Sequence, residues 1–212
     1  MHWSQQLLGI LNIDFRVIGD LPKPVNSGHL LVSNHVSWLD IHLIHALCPA
    51  RFIAKSEIRQ WPILGWLAAN NGTLFLQRNS NQGAAQMVKL ATKSLGDGAR
   101  VACFPEGTTS DGQGLLPFHG SLLQAAINSE CQVIPICIRY RDAQGKPEMR
   151  MAFLAEMSLL QSIKSILCVP HSQAELHVLN PISSQGHDRR GLTVAVQHAI
   201  AAHLSSRQTL KN

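Results

Sequence analysis

Two short apolar runs, each followed at once by a polar cluster, constrain the fold of this chain more than any other feature. Residues 30–32 (Leu-Leu-Val) lead into the cluster 34–40, and residues 101–103 (Val-Ala-Cys) lead into the cluster 104–110. Apolar runs of this kind are typical of buried strands, and polar residues directly after them are typical of turns. In α/β proteins, functional sites are built at the ends of such strands. The sequence therefore predicts an α/β domain with a site at these two strand ends.

His35 and Asp40, in the first cluster, are candidates for a general base and the carboxylate that orients it. In a regular helix, residues five apart are rotated by about 140° and cannot face each other. If Ser37 caps a helix that runs to about Cys48, His35 lies in the preceding turn and its imidazole can fold back onto Asp40. A carboxylate on one ring nitrogen fixes the tautomer and leaves the other nitrogen to accept a proton. An alternative stays open, because Ser37-x-x-Asp40 is also a capping-box pattern, in which Asp40 only binds backbone amides.

Elsewhere the spacing of apolar residues predicts the remaining elements. Helical periodicity is present over 81–95 and 116–127 and from Asp188 onward, and residues 131–140 and 175–179 have the composition of strands.

Four motif blocks follow one another along the chain. They are residues 34–40 (Asn-His-x4-Asp), 72–78 (Gly-Thr-Leu-Phe-Leu-Gln-Arg), 104–110 (Phe-Pro-Glu-Gly-Thr-Thr-Ser) and 133–136 (Val-Ile-Pro-Ile). A lone His-x4-Asp is a weak signal, but four blocks in order are a strong one. From about residue 30 to residue 140, the chain resembles the glycerolipid acyltransferase family typified by 1-acylglycerol-3-phosphate O-acyltransferase. The resemblance implies a glycerol-3-phosphate acyltransferase-like α/β fold. We expect a single domain over residues 1–212, in which helices flank a mixed, mostly parallel β-sheet.

The same resemblance implies an activity and a set of site residues. The expected reaction moves a fatty acyl group from an acyl thioester, acyl-CoA or acyl carrier protein, to the free hydroxyl of a lysolipid. The first expectation for the acceptor is 1-acylglycerol-3-phosphate, and lyso-ornithine lipid or another lysolipid is the alternative. Neither a cofactor nor a metal is expected. The expected catalytic residues are His35, Asp40, Glu106 and Gly107, the last two in a turn that can aim backbone amides at an oxyanion. The expected substrate-binding residues are Lys55, Gly72, Arg78, Phe104, Pro105, Thr108, Thr109 and Pro135.

Of three departures from the family pattern, those at Gln77 and Thr109 bear on the acceptor, and the one at His119 has no clear effect. Lys55 and Arg78 match positions that the family associates with the acceptor's anionic head group, although both could also be ordinary surface cations. The family's usual Asp before this arginine is Gln77 here. Its common Arg, at a position linked to phosphate binding, is Thr109, and a position that is often basic is His119. The resemblance therefore leaves open whether the acceptor carries a phosphate.

Composition limits the range of partners. Charged residues make up only 15% of the chain and apolar residues 45%, which leaves a sparsely charged surface that contact with lipid would explain. The net charge of +5 fits a membrane surface or an anionic substrate. Nucleic acid is not expected as a partner, because the basic residues are scattered and the chain has one tyrosine. Five cysteines without a C-x-x-C pair indicate a reduced, cytosolic setting.

Residues 1–12 predict an amphipathic helix, which either packs on the core or lies in a membrane interface. Its apolar face consists of Trp3, Leu7, Ile10 and Leu11. No transmembrane helix is predicted, because the uncharged run 61–77 is interrupted by proline, glycine and asparagine. We expect a peripheral protein at the cytoplasmic face of the membrane, with a membrane lipid as acceptor.

Other classes of function are less well supported by the residues. A serine or thiol hydrolase would need a nucleophile elbow such as G-x-S-x-G, and none occurs. A non-catalytic lipid-binding protein would be expected to lack His35, Asp40 or Glu106, and all three are present. His42 and His45 share a helical face and could bind zinc, but no Cys, Asp or Glu at ligand spacing completes a set.

Overall fold

The computed structural model describes residues 2–24, 28–55, 59, 65, 73–76, 81–154 and 156–206. The described strands are β1 (Ile13–Ile18), β2 (His29–Ser33), β3 (Arg51–Lys55), β4 (Leu74–Leu76), β5 (Val101–Cys103), β6 (Gln132–Arg141), β7 (Ser172–Val178) and β8 (Ile182–Ser183). The described helices are α1 (His2–Ile10), α2 (Asp40–Leu47), α3 (Asn81–Gly96), α4 (Leu123–Asn128), α5 (Leu159–Leu167) and α6 (Arg189–Ser206).

The strands form one mixed sheet in the order β1-β7-β6-β2-β5-β3-β4, with β8 paired to β6. Neighbours are parallel except β6 with β7 and β6 with β8. The predicted mixed, mostly parallel sheet with flanking helices is therefore confirmed. Strands β2 and β5 are direct neighbours in register, with Val32 opposite Cys103. The two polar clusters consequently leave the sheet side by side at one edge.

Helices cover both faces of the sheet, which explains why its central strands are continuously apolar. On one face, α1, α2 and α5 contribute Leu8, Leu43 and Ile166 to a buried cluster. On the other face, α3 and α6 contribute Leu95 and Val196. Every residue of β2 is buried, so its sequence shows no alternation of polar and apolar residues.

Pro135 lies inside β6, a central strand, although proline usually occurs at sheet edges. On one side β6 pairs with β2, with Pro135 opposite Val32. On the other side its ladder with β8 stops at Val133 and its ladder with β7 starts at Ile136. The Pro135 carbonyl accepts from the backbone N–H of Leu179 on this second side. The missing N–H therefore faces the gap between the two ladders, where no partner needs it.

The helix predicted over 116–127 is wrong at its start. A 3-10 turn occupies Gly120–Leu122, and the α-helix begins only at Leu123. Proline at 117 and glycine at 120 explain this late start, because both disfavour a helix interior. Helix α5 was not predicted, although its sequence carries a capping box between Ser158 and Gln161.

The N-terminal helix is confirmed, but the apolar face predicted for it is not its buried face. Ser4 and Leu8 are the buried residues of α1. Trp3 and Ile10, which belong to the predicted face, are 43% and 79% exposed. None of the described helices is long and apolar enough to cross a bilayer.

Candidate active site

The side chain of His35 folds back onto Asp40, as the spacing predicted. His35 Nδ1 lies 2.9 Å from Asp40 Oδ2. The same oxygen accepts from the backbone N–H groups of Val36 at 2.7 Å and Ser37 at 2.9 Å. Helix α2 begins at Asp40 itself and has no side-chain cap, so the prediction that Ser37 caps it is wrong. The two alternatives for Asp40 thus hold together, because one oxygen binds both the imidazole and the backbone of the turn.

Tyr140, at the end of β6, supplies the remaining partner of this carboxylate. Its hydroxyl donates to Asp40 Oδ1 at 2.7 Å, and both side chains are buried. Burial, and next the charge of Asp40, raise the pKa of Tyr140 well above its usual range. The phenol therefore stays a proton donor to the carboxylate. No local sequence pattern predicts this contact, because the two residues are 100 positions apart.

Glu106 holds the backbone of the turn that contains His35. Its Oε1 accepts from the His35 N–H and its Oε2 from the Leu116 N–H, both at 2.8 Å. Burial raises the pKa of the Glu106 carboxyl, and the two backbone hydrogen bonds oppose this effect. The His35 carbonyl in turn accepts from the Ser110 N–H at 2.8 Å. Glu106 was predicted among the catalytic residues, and its contacts indicate that it positions His35.

The ring of Phe104 fixes the plane of the imidazole. The rings of His35 and Phe104 stack with centroids 3.9 Å apart and an interplanar angle of 8°. Phe52 lies 5.8 Å from Phe104, almost parallel to it. With Nδ1 on the carboxylate and one ring face on Phe104, His35 is left with Nε2 as its proton acceptor.

Phe104 and Glu106 line a cavity of about 500 Å³. One wall is the second polar cluster, including Phe104, Pro105, Glu106, Gly107 and Thr108. The lining also includes the apolar residues Ile53, Ala84, Met87 and Leu122. His35 does not line the cavity itself, and it reaches the lining through its contacts with Phe104 and Glu106. The structure thus brings together three predicted substrate-binding residues, Phe104, Pro105 and Thr108, beside the His35 and Asp40 pair.

Gly107 shapes the turn in this wall. Its φ of +72° favours glycine, and a Cβ there would lie 3.3 Å from the ring of His119. The Gly107 N–H donates to the Phe104 carbonyl at 3.1 Å and is committed to the turn. Within the described part of the chain, the next amide, that of Thr108, donates to no protein acceptor. Thr108 is therefore the stronger candidate for an oxyanion donor.

Other predicted substrate-binding residues lie elsewhere or outside the described residues. The Thr109 hydroxyl donates to the carbonyl of Phe153, and Thr109 is not part of the cavity wall. Pro135 is buried within β6, away from this wall. The backbone of Lys55 ends β3, but its side chain falls outside the described residues, as do Gly72 and Arg78.

The remaining candidate groups, the side chains of Cys103, His42 and His45, are buried in the protein. Burial raises the pKa of the Cys103 thiol to about 12, so this cysteine is not an activated nucleophile. Burial lowers the pKa of His42 and of His45 to about 4. His42 packs edge-on against Trp3 and Trp38. In the residues that the structure describes, no three His, Cys, Asp or Glu side chains are grouped as metal ligands.

Comparison with known proteins identifies the family. The family profile described as Acyltransferase matches residues 14–139. A lyso-ornithine lipid O-acyltransferase of Pseudomonas aeruginosa is 38% identical over 198 residues, which cover 93% of this chain and 75% of that protein. A 1-acyl-sn-glycerol-3-phosphate acyltransferase of Neisseria meningitidis is 41% identical over 147 residues, which cover 69% of this chain and 57% of that protein. The crystal structure of the 1-acyl-sn-glycerophosphate (LPA) acyltransferase of Thermotoga maritima superposes with a TM-score of 0.72 and 22% identity, covering 100% of this chain and 79% of that one. The last match shows the fold, and the family profile and the Pseudomonas relative show that the chain belongs to the acyltransferase family.

Proposed function

We propose that this protein transfers a fatty acyl group from acyl-CoA or acyl carrier protein to the free hydroxyl of a lysolipid. The observation that carries this proposal is the His35 and Asp40 pair, which contacts the lining of a partly apolar cavity through Phe104. A cavity of about 500 Å³ falls within the range of small-molecule sites. The apolar walls suit a fatty acyl chain, and the polar wall suits the reacting groups.

In this mechanism His35 Nε2 accepts the proton of the acceptor hydroxyl as its oxygen attacks the thioester carbonyl. The resulting tetrahedral oxyanion would accept a hydrogen bond from the Thr108 amide. The C–S bond then breaks, and the imidazolium returns the proton to the leaving thiolate. Asp40 holds the imidazolium during both steps. A positioned base of this kind contributes about 10² to 10⁴-fold to the rate, and one oxyanion donor contributes about 10² to 10³-fold.

Two acceptor classes fit this mechanism, and each has an observation in its favour. An acceptor of the lyso-ornithine type is supported by the Pseudomonas relative, whose similarity covers almost the whole chain. It is also supported by Thr109, which stands in the family's arginine position and turns its hydroxyl to Phe153. A phosphate monoester, 1-acylglycerol-3-phosphate, is supported by the Neisseria relative and by the presence of Lys55 and Arg78.

The membrane is the expected location of the acceptor. A lysolipid carries one acyl chain and its product carries two, so both partition into a bilayer. The five cysteines of the chain are free, which suits a reducing compartment. We therefore propose that the protein works as a peripheral enzyme at the cytoplasmic face of a membrane.

A direct test is to incubate the purified protein with palmitoyl-CoA or palmitoyl-acyl carrier protein and a panel of lysolipids, and to read product masses. One new diacyl species identifies donor and acceptor together. His35→Ala should lower the rate at least about a hundredfold, whereas His187→Ala, which removes an exposed histidine that does not line the cavity, should not. A His35→Ala variant with wild-type turnover and a wild-type melting curve would show that the base is another residue.

Thr109→Arg distinguishes the acceptor classes. Arginine can bind a phosphate with two parallel hydrogen bonds, which a hydroxyl cannot. If the acceptor is a phosphate monoester, the variant should lower its KM severalfold with little change in kcat. For an acceptor without phosphate, it should lower no KM, and the lost bond to Phe153 should cost about 1 kcal/mol of stability.

A further inference from the structure

A second cavity, of about 210 Å³, also adjoins the turn that contains His35. Strand β2 leads into this turn and lies between β5 and β6 in the sheet. The first cavity is lined by the cluster that follows β5, and the second by Val36 of the turn itself and by the end of β6. An acyl transfer brings two substrates to one base. Two cavities that adjoin the same turn therefore suit one substrate each.

Most of the charged side chains that line the second cavity already have partners in the protein. Arg139 donates to two backbone carbonyls near the end of α6. Arg141 pairs with Glu175 at 3.0 Å. Both carboxylate oxygens of Glu148 accept from the guanidinium of Arg150, at 2.8 and 2.6 Å. These groups hold the end of β6 and the segment that follows it in place.

Lys146 and Asp111 are the charged lining residues that remain. Within the described part of the chain, neither side chain forms an ion pair. Asp111 Oδ1 accepts from the Gln113 N–H at 2.9 Å, which leaves Oδ2 for a ligand. Both residues are exposed, so a ligand can reach them from solvent. The lining thus offers a ligand one charge of each sign.

The backbone fixes the positions from which both side chains start. The Lys146 N–H donates to the Asp142 carboxylate at 2.8 Å, and the Lys146 carbonyl accepts from the Asp142 N–H at 2.8 Å. Ser110, the residue before Asp111, donates its N–H to the His35 carbonyl at 2.8 Å. Asp111 is therefore attached directly to the turn that carries the base.

One charge of each sign favours a zwitterion over a dianion. A phosphate monoester would be attracted by Lys146 but repelled by the carboxylates of Asp111 and Glu148. The ornithine head group of the alternative acceptor class carries one carboxylate and one ammonium, which match the two charges. The cavity is also smaller than the roughly 300–1,000 Å³ of drug-sized ligand sites. It therefore suits a head group better than the nucleotide of a coenzyme A donor.

We propose that this second cavity binds the zwitterionic head group of the lysolipid acceptor, with the carboxylate on Lys146 and the ammonium on Asp111. The inference rests on the proposed function and selects the ornithine type of acceptor within it. The donor's acyl chain then occupies the first cavity. The acceptor hydroxyl reaches His35 across Val36, which is its neighbour in the chain and lines the second cavity.

The test uses the full chain and three water-soluble probes, with calorimetry as a readout that needs no turnover. Nα-(3-hydroxyoctanoyl)ornithine carries both charges, its norvaline analogue lacks the ammonium, and its primary amide lacks the carboxylate. The unaltered protein should bind the zwitterion up to about fivefold more tightly than either analogue, as expected for exposed ion pairs. Asp111→Asn should lose the preference over the norvaline probe alone, and Lys146→Gln should lose the preference over the amide alone.

Lys93→Gln and Asp97→Asn are matched controls, because both residues are exposed and line neither cavity. Both controls should keep both preferences. Asparagine at 111 can still accept from the Gln113 N–H, so the variants should keep their melting curves. Equal binding of the three probes by the unaltered protein would overturn the proposal, and so would preferences that survive in Asp111→Asn and Lys146→Gln.

Acyl transfer separates failure of this site from failure of the proposed function. With lyso-ornithine lipid as acceptor, the double variant Asp111→Asn, Lys146→Gln should raise KM at least about tenfold, with less change in kcat. An unchanged KM would show that the head group binds elsewhere. If the unaltered protein acylates only 1-acylglycerol-3-phosphate, the zwitterion assignment is wrong although the function holds. If it acylates no lysolipid, the proposed function fails, while the probe preferences still test the cavity.

Discussion

Tyr140→Phe is the sharpest test of how the catalytic pair is supported. The change removes one hydroxyl and keeps the buried ring. That hydroxyl donates to Asp40 Oδ1 at 2.7 Å, and Asp40 is 0% exposed. A hydrogen bond to a charged group contributes about 1.5–3 kcal/mol. We therefore expect the free energy of unfolding to fall by about 2 kcal/mol.

The effect on catalysis should be smaller than that of removing the base. Asp40 Oδ2 keeps its bonds to His35, Val36 and Ser37 in the variant, so the imidazole remains held on one side. The loosened carboxylate should still orient His35 less well, and a loss of about 1.4 kcal/mol in the transition state would be tenfold in rate. Because Tyr140 is not part of the cavity wall, kcat should fall and KM should change little.

Urea unfolding and steady-state acyl transfer measure the two effects. The matched control is Ser184→Ala, which removes another buried hydroxyl, one that donates to the Ala126 carbonyl at 3.0 Å and contacts neither His35 nor Asp40. It should lose about 1 kcal/mol of stability and keep wild-type kcat. Wild-type stability and kcat in Tyr140→Phe would refute the reasoning, and an equal loss of kcat in Ser184→Ala would show that the effect is only structural.

The remaining predictions concern pH and the loop backbone. Burial lowers the pKa of His42 to about 4, below its value of 6.5 in the unfolded chain. The unfolded state therefore takes up a proton before the folded state does, and the free energy of unfolding decreases as pH falls below 6.5. Because of this histidine, the free energy of unfolding should be about 2 kcal/mol lower at pH 5 than at pH 8. His42→Leu should remove this contribution, which urea unfolding of both proteins at the two pH values measures. Glu106→Gln keeps an acceptor for only one of its two backbone donors, so it should lower both the melting temperature and kcat; wild-type kcat would contradict a positioning role. Gly112→Ala combines a φ of +74° with a Cβ contact of 2.9 Å to Val36, next to His35. It should cost about 1–3 kcal/mol and reduce kcat, whereas Gly186→Ala, with a φ of +78° and open space, should reduce stability alone.

The sequence was informative where chemistry and fold depend on neighbouring residues. The strands β2 and β5 could be predicted because burial on both faces makes them continuously apolar. The His35 contact with Asp40 could be predicted because five residues of turn leave few ways to place the imidazole. The family resemblance then added the expected substrate-binding residues of the second cluster, Phe104, Pro105, Thr108 and Thr109.

The parts that escaped prediction depend on register between distant segments. Asn34 bonds both the N–H and the carbonyl of Ile138, which brings Tyr140 to the carboxylate two residues later. No local pattern specifies this alignment of residues about 100 positions apart. The orientation of Thr109 depends in the same way on Phe153, whose own N–H binds the Val36 carbonyl at 2.8 Å. Motif matching gives the identity of such residues but not the direction of their side chains.

The environment of Asp40 explains why binding the backbone of the turn and orienting the base need not be alternatives. A fully buried carboxylate must replace the water it loses with hydrogen-bond donors. Two of its donors are backbone N–H groups of the turn that contains His35, so the turn can close only around the carboxylate. Closing the turn in this way also places the imidazole, whose nitrogen occupies the third position on the same oxygen. Folding of the loop and orientation of the base are therefore one event, and Tyr140 secures it from the opposite oxygen.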